Sequence, residues 1–184
     1  MKPRELLDIL AVAERLKDTP RHCYTSKGRR ESVAEHSWMI TLMAFLLRQE
    51  FPEADMDKVM AMCVIHDLGE AFTGDIPVFQ KTTAHRDAED AALQSWVASL
   101  PVADTMAALY AEMNEQKTVE ARIYKSLDKL EALLQHNLSD LNTWLPNEYD
   151  LQKTYAHDTV AFSDYLKALR QEILDDTLRK IGEA

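Results

Sequence analysis

The sequence predicts an all-α fold in which residues 1–184 form one compact multi-helix domain. Glycine and proline are scarce, at 4 and 6 residues respectively, and Leu, Ala, Met, Glu, Lys and Gln, which favour helices, are plentiful. The apolar residues recur at helical rather than alternating spacing. A chain of this length is long enough to bury a substantial hydrophobic core.

The N-terminal half contains three predicted helices. Leucine and alanine recur at helical spacing over residues 5–17, and Pro20 follows the end of that segment. A capping-box pattern formed by Ser32 and Glu35 begins a second helix, which continues to about residue 50. Apolar spacing predicts a third helix over residues 56–68.

Two segments between helices have distinctive compositions. Residues 21–30 form the most basic stretch of the chain and predict a solvated loop. Residues 73–77 predict a turn, because Gly74 permits a positive φ and the residue before Pro77 is disfavoured in the helical region. We expect Asp75, in this turn, to point back towards the end of the preceding helix.

The C-terminal half contains four further predicted helices. Residues 86–100 and 102–114 are separated by a proline. Residues 118–141 form the longest predicted helix, with a stripe of apolar residues in which Asp128 is embedded. An amphipathic helix over residues 160–181 closes the chain.

The composition excludes several classes of partner. A net charge of −10 without a basic stripe opposes binding to a nucleic-acid polymer. The two cysteines, Cys23 and Cys63, indicate neither a disulfide framework nor a thiolate metal site. No window approaches the roughly 18 apolar residues of a membrane span, and the charged N-terminus is unlike a signal peptide. We expect a soluble, cytoplasmic protein that does not bind membranes.

Residues of the types that bind metals occur on three predicted helices. His66 and Asp67 end the helix over residues 56–68 at the rim of the expected core, His36 lies in the first turns of the preceding helix, and Asp128 lies on the longest helix. Two imidazoles and two carboxylates suit one divalent transition metal ion (Mn, Fe, Co, Ni or Zn) better than Ca or Mg. On an octahedral ion they leave two positions, for a water and a substrate oxygen.

Glu70 is a candidate acid or base at this site. It follows His66 by four residues and therefore lies on a similar face if the helical path continues. A metal ion lowers the pKa of a bound water from about 15.7 towards neutrality, which suits hydrolysis of a phosphate ester. A noncatalytic helical interaction protein with a structural metal is the competing interpretation, although such a metal would require neither Glu70 nor Asp75.

The order of these residues resembles a known signature. His36, His66-Asp67 and Asp128 are similar to the H…HD…D pattern of the HD-domain metal-dependent phosphohydrolase superfamily. The stretches around His36, from His66 to Glu70 and from Thr73 to Pro77 resemble the branch that contains bacterial 5′-deoxynucleotidases.

That resemblance implies an HD domain with its metal-binding core at about 30–140 and a C-terminal helix, about 160–181, packed on it. The implied reaction is attack of metal-bound water on a small phosphomonoester, with a nucleoside 5′-monophosphate as the expected substrate. A homodimer is expected only by analogy with the family.

The resemblance also implies roles for individual residues. Arg21 matches an arginine that orients the phosphate, a task that suits its planar guanidinium. His22 departs from the pattern, because the deoxynucleotidases carry there a tryptophan that helps select deoxyribose, and the sugar preference is left open. The implied catalytic residues are Glu70, Asp67 and Arg21, and the implied substrate contacts are Arg21, His22, Asp75, Ile76, Pro77 and Val78.

Alternatives within the superfamily stay open. The same phosphoryl chemistry would serve an alarmone or a cyclic nucleotide. Di-iron oxygenases of the superfamily need further histidines between the His-Asp pair and the last aspartate, where this chain offers only His85. Lys81 is a possible phosphate contact, although we expect a solvated lysine there, and we expect His136 and His157 to be structural.

Overall fold

The computed structural model describes residues 1–182 and confirms the all-α class. Within that range the only strands are β1 (Pro20–Tyr24) and β2 (Arg30–Ser32), which pair as an antiparallel hairpin. The α-helices are α1 (Pro3–Ala13), α2 (Val33–Leu46), α3 (Met56–Ile65), α4 (Glu70–Thr73), α5 (Thr83–Ala98), α6 (Ala103–Glu115), α7 (Val119–Leu138), α8 (Glu148–Thr154), α9 (His157–Val160) and α10 (Asp164–Gly182).

Helix α7 lies at the centre of the fold, where it packs against α2, α3, α6, α10 and the β-hairpin. Its apolar stripe is buried, as the leucine spacing predicts: Ile123, Leu127 and Leu130 have no exposed surface. Burial of each such side chain contributes about 1.5–3 kcal/mol. Charged residues on this helix are therefore held in place by the packing of the core.

The basic segment forms a hairpin rather than the predicted loop. Pro20 pairs with Ser32 and Tyr24 with Arg30, and Gly28 takes a φ of 78° in the turn. The hairpin docks on α7, where the side-chain amide of Gln135 donates to the carbonyl oxygen of Tyr24 at 2.6 Å. The strands are short and polar, so their pairing depends on this tertiary contact, which local sequence does not contain.

The chain leaves the helical path directly after α3, three residues earlier than predicted. The amides of Leu68 and Glu70 donate to the carbonyl oxygens of Ile65 and Asp67 in two tight turns. Gly69 lets α5 pack closely here, because a Cβ at this position would approach Glu89 Cγ to 3.0 Å and the Glu89 side chain would have to shift. The turns place His66 and Asp67 at the end of a buried helix.

Other boundaries also differ from prediction. Helices α8 and α9 were not predicted, because segments of seven and four residues are too short to show helical periodicity. The first helix ends at Ala13 and continues as a 3-10 turn to Lys17, and none of the α1 side chains is buried. No helix between residues 1 and 182 combines the length and apolar character needed to cross a membrane.

Candidate functional site

Four side chains predicted as metal ligands converge on one point. The Nε2 atoms of His36 and His66 are 3.2 Å apart, and Asp67 Oδ2 lies 2.8 Å from His66 Nε2. Asp128 Oδ1 lies 3.3 Å from His36 Nε2 and 4.0 Å from His66 Nε2. Donor atoms about 2.1 Å from a shared ion stand about 3.0 Å apart when adjacent and about 4.2 Å apart when opposite. The donor atoms of His36, His66 and Asp67 lie close enough together to share one divalent cation, and Asp128 Oδ1 lies within 4.0 Å of both imidazoles.

Both imidazoles are held with Nε2 facing this point. His66 Nδ1 donates to the carbonyl oxygen of Cys63 at 2.9 Å, and His36 Nδ1 donates to Glu131 Oε2 at 2.5 Å. A carbonyl or carboxylate oxygen only accepts, so Nδ1 carries the hydrogen and Nε2 of each neutral ring presents a lone pair. Two ring nitrogens that face each other at 3.2 Å require a positive charge, which a proton on His36 supplies until a metal ion replaces it.

The electrostatics of the cluster also favour a cation. Burial and Arg21 lower the pKa of His36, but Glu131 and Asp128 outweigh them and raise it to about 10. Lys125 binds Asp128 Oδ2 at 2.6 Å and leaves Oδ1 facing the imidazoles. Burial opposes ionisation of Asp128, but Lys125 and His36 hold its pKa well below the usual range. The site is thus buried and anionic, and its residues fit a divalent metal.

Two buried carboxylates that sequence reasoning missed connect the cluster to Arg21. Arg21 NH1 donates to Glu31 Oε2 at 2.6 Å and to Glu131 Oε2 at 3.2 Å. Glu131 thereby touches both Arg21 and His36. A charged residue within the apolar face of α7, four positions after Leu127, is a signal that could have identified Glu131.

Glu70 lies beside the cluster in an environment that favours its protonated form. Its Oε2 is buried and has no hydrogen-bond partner within the described residues. Burial, with the negative charges of Asp67, Asp75 and Glu89, raises the pKa of Glu70 to about 9, against a smaller opposite effect of Lys81. Without a bound cation, this environment therefore favours the protonated carboxyl group.

Lys81 is not the solvated residue that we expected. Its side chain is only 20% exposed, and its Nζ lies 2.5 Å from Glu89 Oε2 and 4.0 Å from Glu70 Oε1. Glu89 lies on α5, and the packing of that helix brings its carboxylate to Lys81, which lies in the segment before the helix. The spacing of the two residues in the sequence does not reveal this contact.

A cavity of about 500 Å³ gathers the predicted substrate residues around the cluster. A second cavity, of about 710 Å³, is lined chiefly by α5 and α6 and shares Asp67, Lys81, Arg86 and Lys125 with the first. The smaller cavity is the better candidate for the reaction, because only it contains Arg21 and Glu70. Its walls include Arg21, His22, His36, Asp67, Glu70, Asp75, Ile76, Pro77, Val78 and Asp128.

The remaining histidines lie in different surroundings. His157 is exposed, and its Nε2 donates to the carbonyl oxygen of Lys153 at 3.0 Å. His136 lines the smaller cavity, and its Nε2 lies 3.0 Å from Glu148 Oε1. His22 lies against the same Glu148 oxygen at 2.9 Å and packs edge-on to Phe79.

A helical core that presents histidines and aspartates in this order is typical of the HD-domain class. The chain belongs to that family, because residues 13–170 match the HD domain. The chain is similar to 5′-deoxynucleotidase HDDC2 of Homo sapiens, with 31% identity over 140 residues that span 72% of this chain and 67% of that protein. It is also similar to 5′-deoxynucleotidase hdd1 of Schizosaccharomyces pombe, with 26% identity over 144 residues, 73% of this chain and 72% of that protein.

Among solved structures, a predicted metal-dependent phosphohydrolase of Magnetospirillum magnetotacticum has a similar fold. The two chains superpose with a TM-score of 0.81 at 28% identity, over 96% of this chain and 95% of the other.

Proposed function

We propose that this HD-domain protein is a metal-dependent phosphohydrolase that cleaves nucleoside 5′-monophosphates, and that residues 1–184 form a single HD domain. One observation carries the proposal: three of the four clustered donors (His36, Asp67 and Asp128) line one cavity together with Arg21 and the Glu70 carboxyl group. The 5′-deoxynucleotidase names of the human and fission-yeast relatives support the substrate class.

His36, His66, Asp67 and Asp128 are the residues that would hold the metal. The donor set suits Mn, Fe, Co, Ni or Zn. A divalent ion here would neutralise charge on the phosphoryl group and lower the pKa of water. Lys125 and Glu131 hold the donor side chains in position, because each binds the atom of its partner that faces away from the cluster.

Arg21 is placed to bind the phosphate. Its NH1 is anchored by Glu31 and Glu131, while its other guanidinium nitrogens donate no hydrogen bond to another described residue. The guanidinium lines the cavity and is mostly buried. A planar guanidinium anchored at one nitrogen can present its remaining N–H donors to two phosphate oxygens.

Glu70 supplies the proton for the leaving group. A phosphomonoester releases an alkoxide, which must be protonated to depart at neutral pH. Burial raises the pKa of Glu70 and favours a proton on its carboxyl group, and Oε2, which has no hydrogen-bond partner among the described residues, can donate that proton. The nucleoside then departs as a neutral alcohol.

The turn after α4 would hold the nucleoside. Gly74, with a φ of 77°, ends α4 and directs the chain along the cavity. Asp75 offers a carboxyl group to a sugar hydroxyl, while Ile76, Pro77 and Val78 provide an apolar wall for a base. The imidazole of His22 is a hydrogen-bonding group near the expected sugar, so a ribose hydroxyl would find a polar partner rather than a tryptophan face.

The experiment is phosphate release from ribo- and deoxyribonucleoside 5′-monophosphates by protein stripped with a chelator and reloaded separately with Mn²⁺, Co²⁺, Zn²⁺ or Mg²⁺. We expect phosphate release to depend on the metal. The ratio of the rates with deoxyribo- and ribonucleotides will show whether His22 selects between the two sugars. If the protein instead hydrolyses only a cyclic nucleotide or an alarmone, its substrate is a different phosphate ester. No release despite bound metal would favour a noncatalytic interaction protein.

We also propose that the protein is cytoplasmic and forms a homodimer. Cys23 and Cys63 are buried free thiols, as suits a reducing compartment. Trp38, Phe45 and Leu46 on α2 are each more than half exposed, which is unusual for large apolar side chains on one helix. Light scattering should give twice the chain mass, and Leu46→Glu should reduce it to a monomer if α2 forms the interface.

A further inference from the structure

A second group of metal-binding side chains lies in the same cavity and shares no residue with the first. His22 comes from β1, His136 from the last turn of α7 and Glu148 from the start of α8. Glu148 Oε1 is 2.9 Å from His22 Nε2 and 3.0 Å from His136 Nε2, and the three atoms all lie within 4.8 Å of one another. Donors about 2.1 Å from one cation stand about 3.0 Å apart on an octahedral ion and about 3.4 Å apart on a tetrahedral ion, so small side-chain shifts would admit either.

The three donor atoms are available for a cation. His136 Nδ1 lies 3.0 Å from the carbonyl oxygen of Ala132, to which it can only donate, and 3.3 Å from Cys23 Sγ, so Nε2 is the atom that faces the cluster. Burial opposes a charge on this ring, but Cys23 and Glu148 raise its pKa to about 10, so a metal ion would replace the proton on Nε2. Glu148 Oε2 accepts the amide of Leu145 at 2.6 Å, which leaves Oε1 for the cluster. His22 Nε2 is buried and makes no hydrogen bond within the described residues, because its approach to Glu148 is poorly aligned.

The surroundings hold these side chains in a fixed arrangement. Glu148 is 2% exposed. Trp144 packs edge-on against His136 with ring centroids 5.7 Å apart, and its indole nitrogen donates to the His136 carbonyl oxygen at 3.1 Å. Phe79 packs edge-on against His22 at 5.6 Å. Such supporting contacts reduce the entropy that a site loses when it captures an ion.

We propose that His22, His136 and Glu148 form a second site for a divalent transition metal. Two imidazoles and one carboxylate favour Zn, Co, Ni or Cu over Mg or Ca, and a tetrahedral ion held by three protein donors keeps one position open. All three residues line the smaller cavity, as Asp75 does, so an ion held by them would lie beside the space proposed for a ligand. The ion would accept an oxygen or nitrogen atom of a ligand at that position.

The test counts metal ions per chain after chelator treatment, reloading with Zn²⁺ or Co²⁺ and removal of free metal. The wild type should hold two ions, while His136→Gln and His66→Gln should each hold one and the double variant none. His157→Gln is the matched control, because the same substitution at an exposed histidine should leave two. His22→Gln is a second variant in case His136→Gln fails to fold, as judged by circular dichroism.

Cobalt gives an independent spectroscopic readout. The second equivalent of Co²⁺ should add visible absorption bands to the wild type and to His157→Gln but not to His136→Gln. A single ion in the wild type that persists in His136→Gln and His22→Gln would overturn the proposal, and would assign the three residues to a hydrogen-bonded imidazole–carboxylate cluster. One ion that survives His66→Gln but not His136→Gln would support this site and refute the four-residue site instead. Neither outcome depends on hydrolysis.

Discussion

Glu131→Gln tests whether a charge outside the proposed ligand set controls metal binding. The carboxylate accepts from His36 Nδ1 at 2.5 Å and from Arg21 at 3.2 Å, in a place with no exposed surface. Glutamine keeps an acceptor oxygen but removes the charge that makes the imidazole a strong donor. Losses of such supporting groups weaken metal affinity by about 10–100-fold, or about 1.4–2.7 kcal/mol.

The assay is competition for Zn²⁺ or Mn²⁺ against a chelator of known affinity, with thermal unfolding recorded in parallel. Glu120→Gln is the matched control, since Glu120 lies on the same helix but pairs with Lys58 away from the site. We expect the dissociation constant to rise about 10–100-fold in Glu131→Gln alone. Equal affinities in the two variants would refute the argument that Glu131 supports His36.

Four further predictions follow from the same geometry. Glu70→Gln should lower turnover at least tenfold with metal content unchanged, and unchanged turnover would remove this residue from the mechanism. In the wild type, kcat should fall as pH rises through the pKa of Glu70, which is about 9 without a metal and lower when a bound ion adds its charge. If the same fall in kcat at high pH persists in Glu70→Gln, another group causes it. Asp67→Ala should lose both metal and activity, and full metal stoichiometry would contradict its assignment as a ligand. Leu127→Ala should lower the free energy of unfolding in urea by about 2–5 kcal/mol, and a change below 1 kcal/mol would mean that the core of α7 tolerates the cavity.

The sequence predicts the central helix from a local regularity, and it predicts the four clustered side chains from a resemblance to a family pattern. The leucine stripe of α7 has a clear period, and the H…HD…D order resembles a specific family pattern. What it fails to predict depends on distant contacts. The hairpin over Pro20–Ser32 is completed by Gln135, more than 100 positions away. Glu131 also depends on a distant contact, because its partner His36 is 95 positions away. Glu148 was missed for another reason: its helix of seven residues is too short to show helical periodicity.

Helix α7 joins the stability of the fold to the chemistry of the candidate site. Lys125, Asp128 and Glu131 recur every three residues, so they occupy one side of the helix beside the leucines that anchor it in the core. Charges in such a position destabilise a protein unless each is paired. Lys125 is paired with Asp128, Glu131 with His36 and Arg21, and Asp128 Oδ1 faces the two imidazoles. A divalent cation would take the place of the proton that His36 holds at neutral pH, and it would contact both imidazoles and Asp128 Oδ1. Metal binding and correct packing of α7 therefore reinforce each other. A substitution that weakens the packing of α7 should also weaken metal binding, and loss of a metal ligand should also lower the stability of the fold.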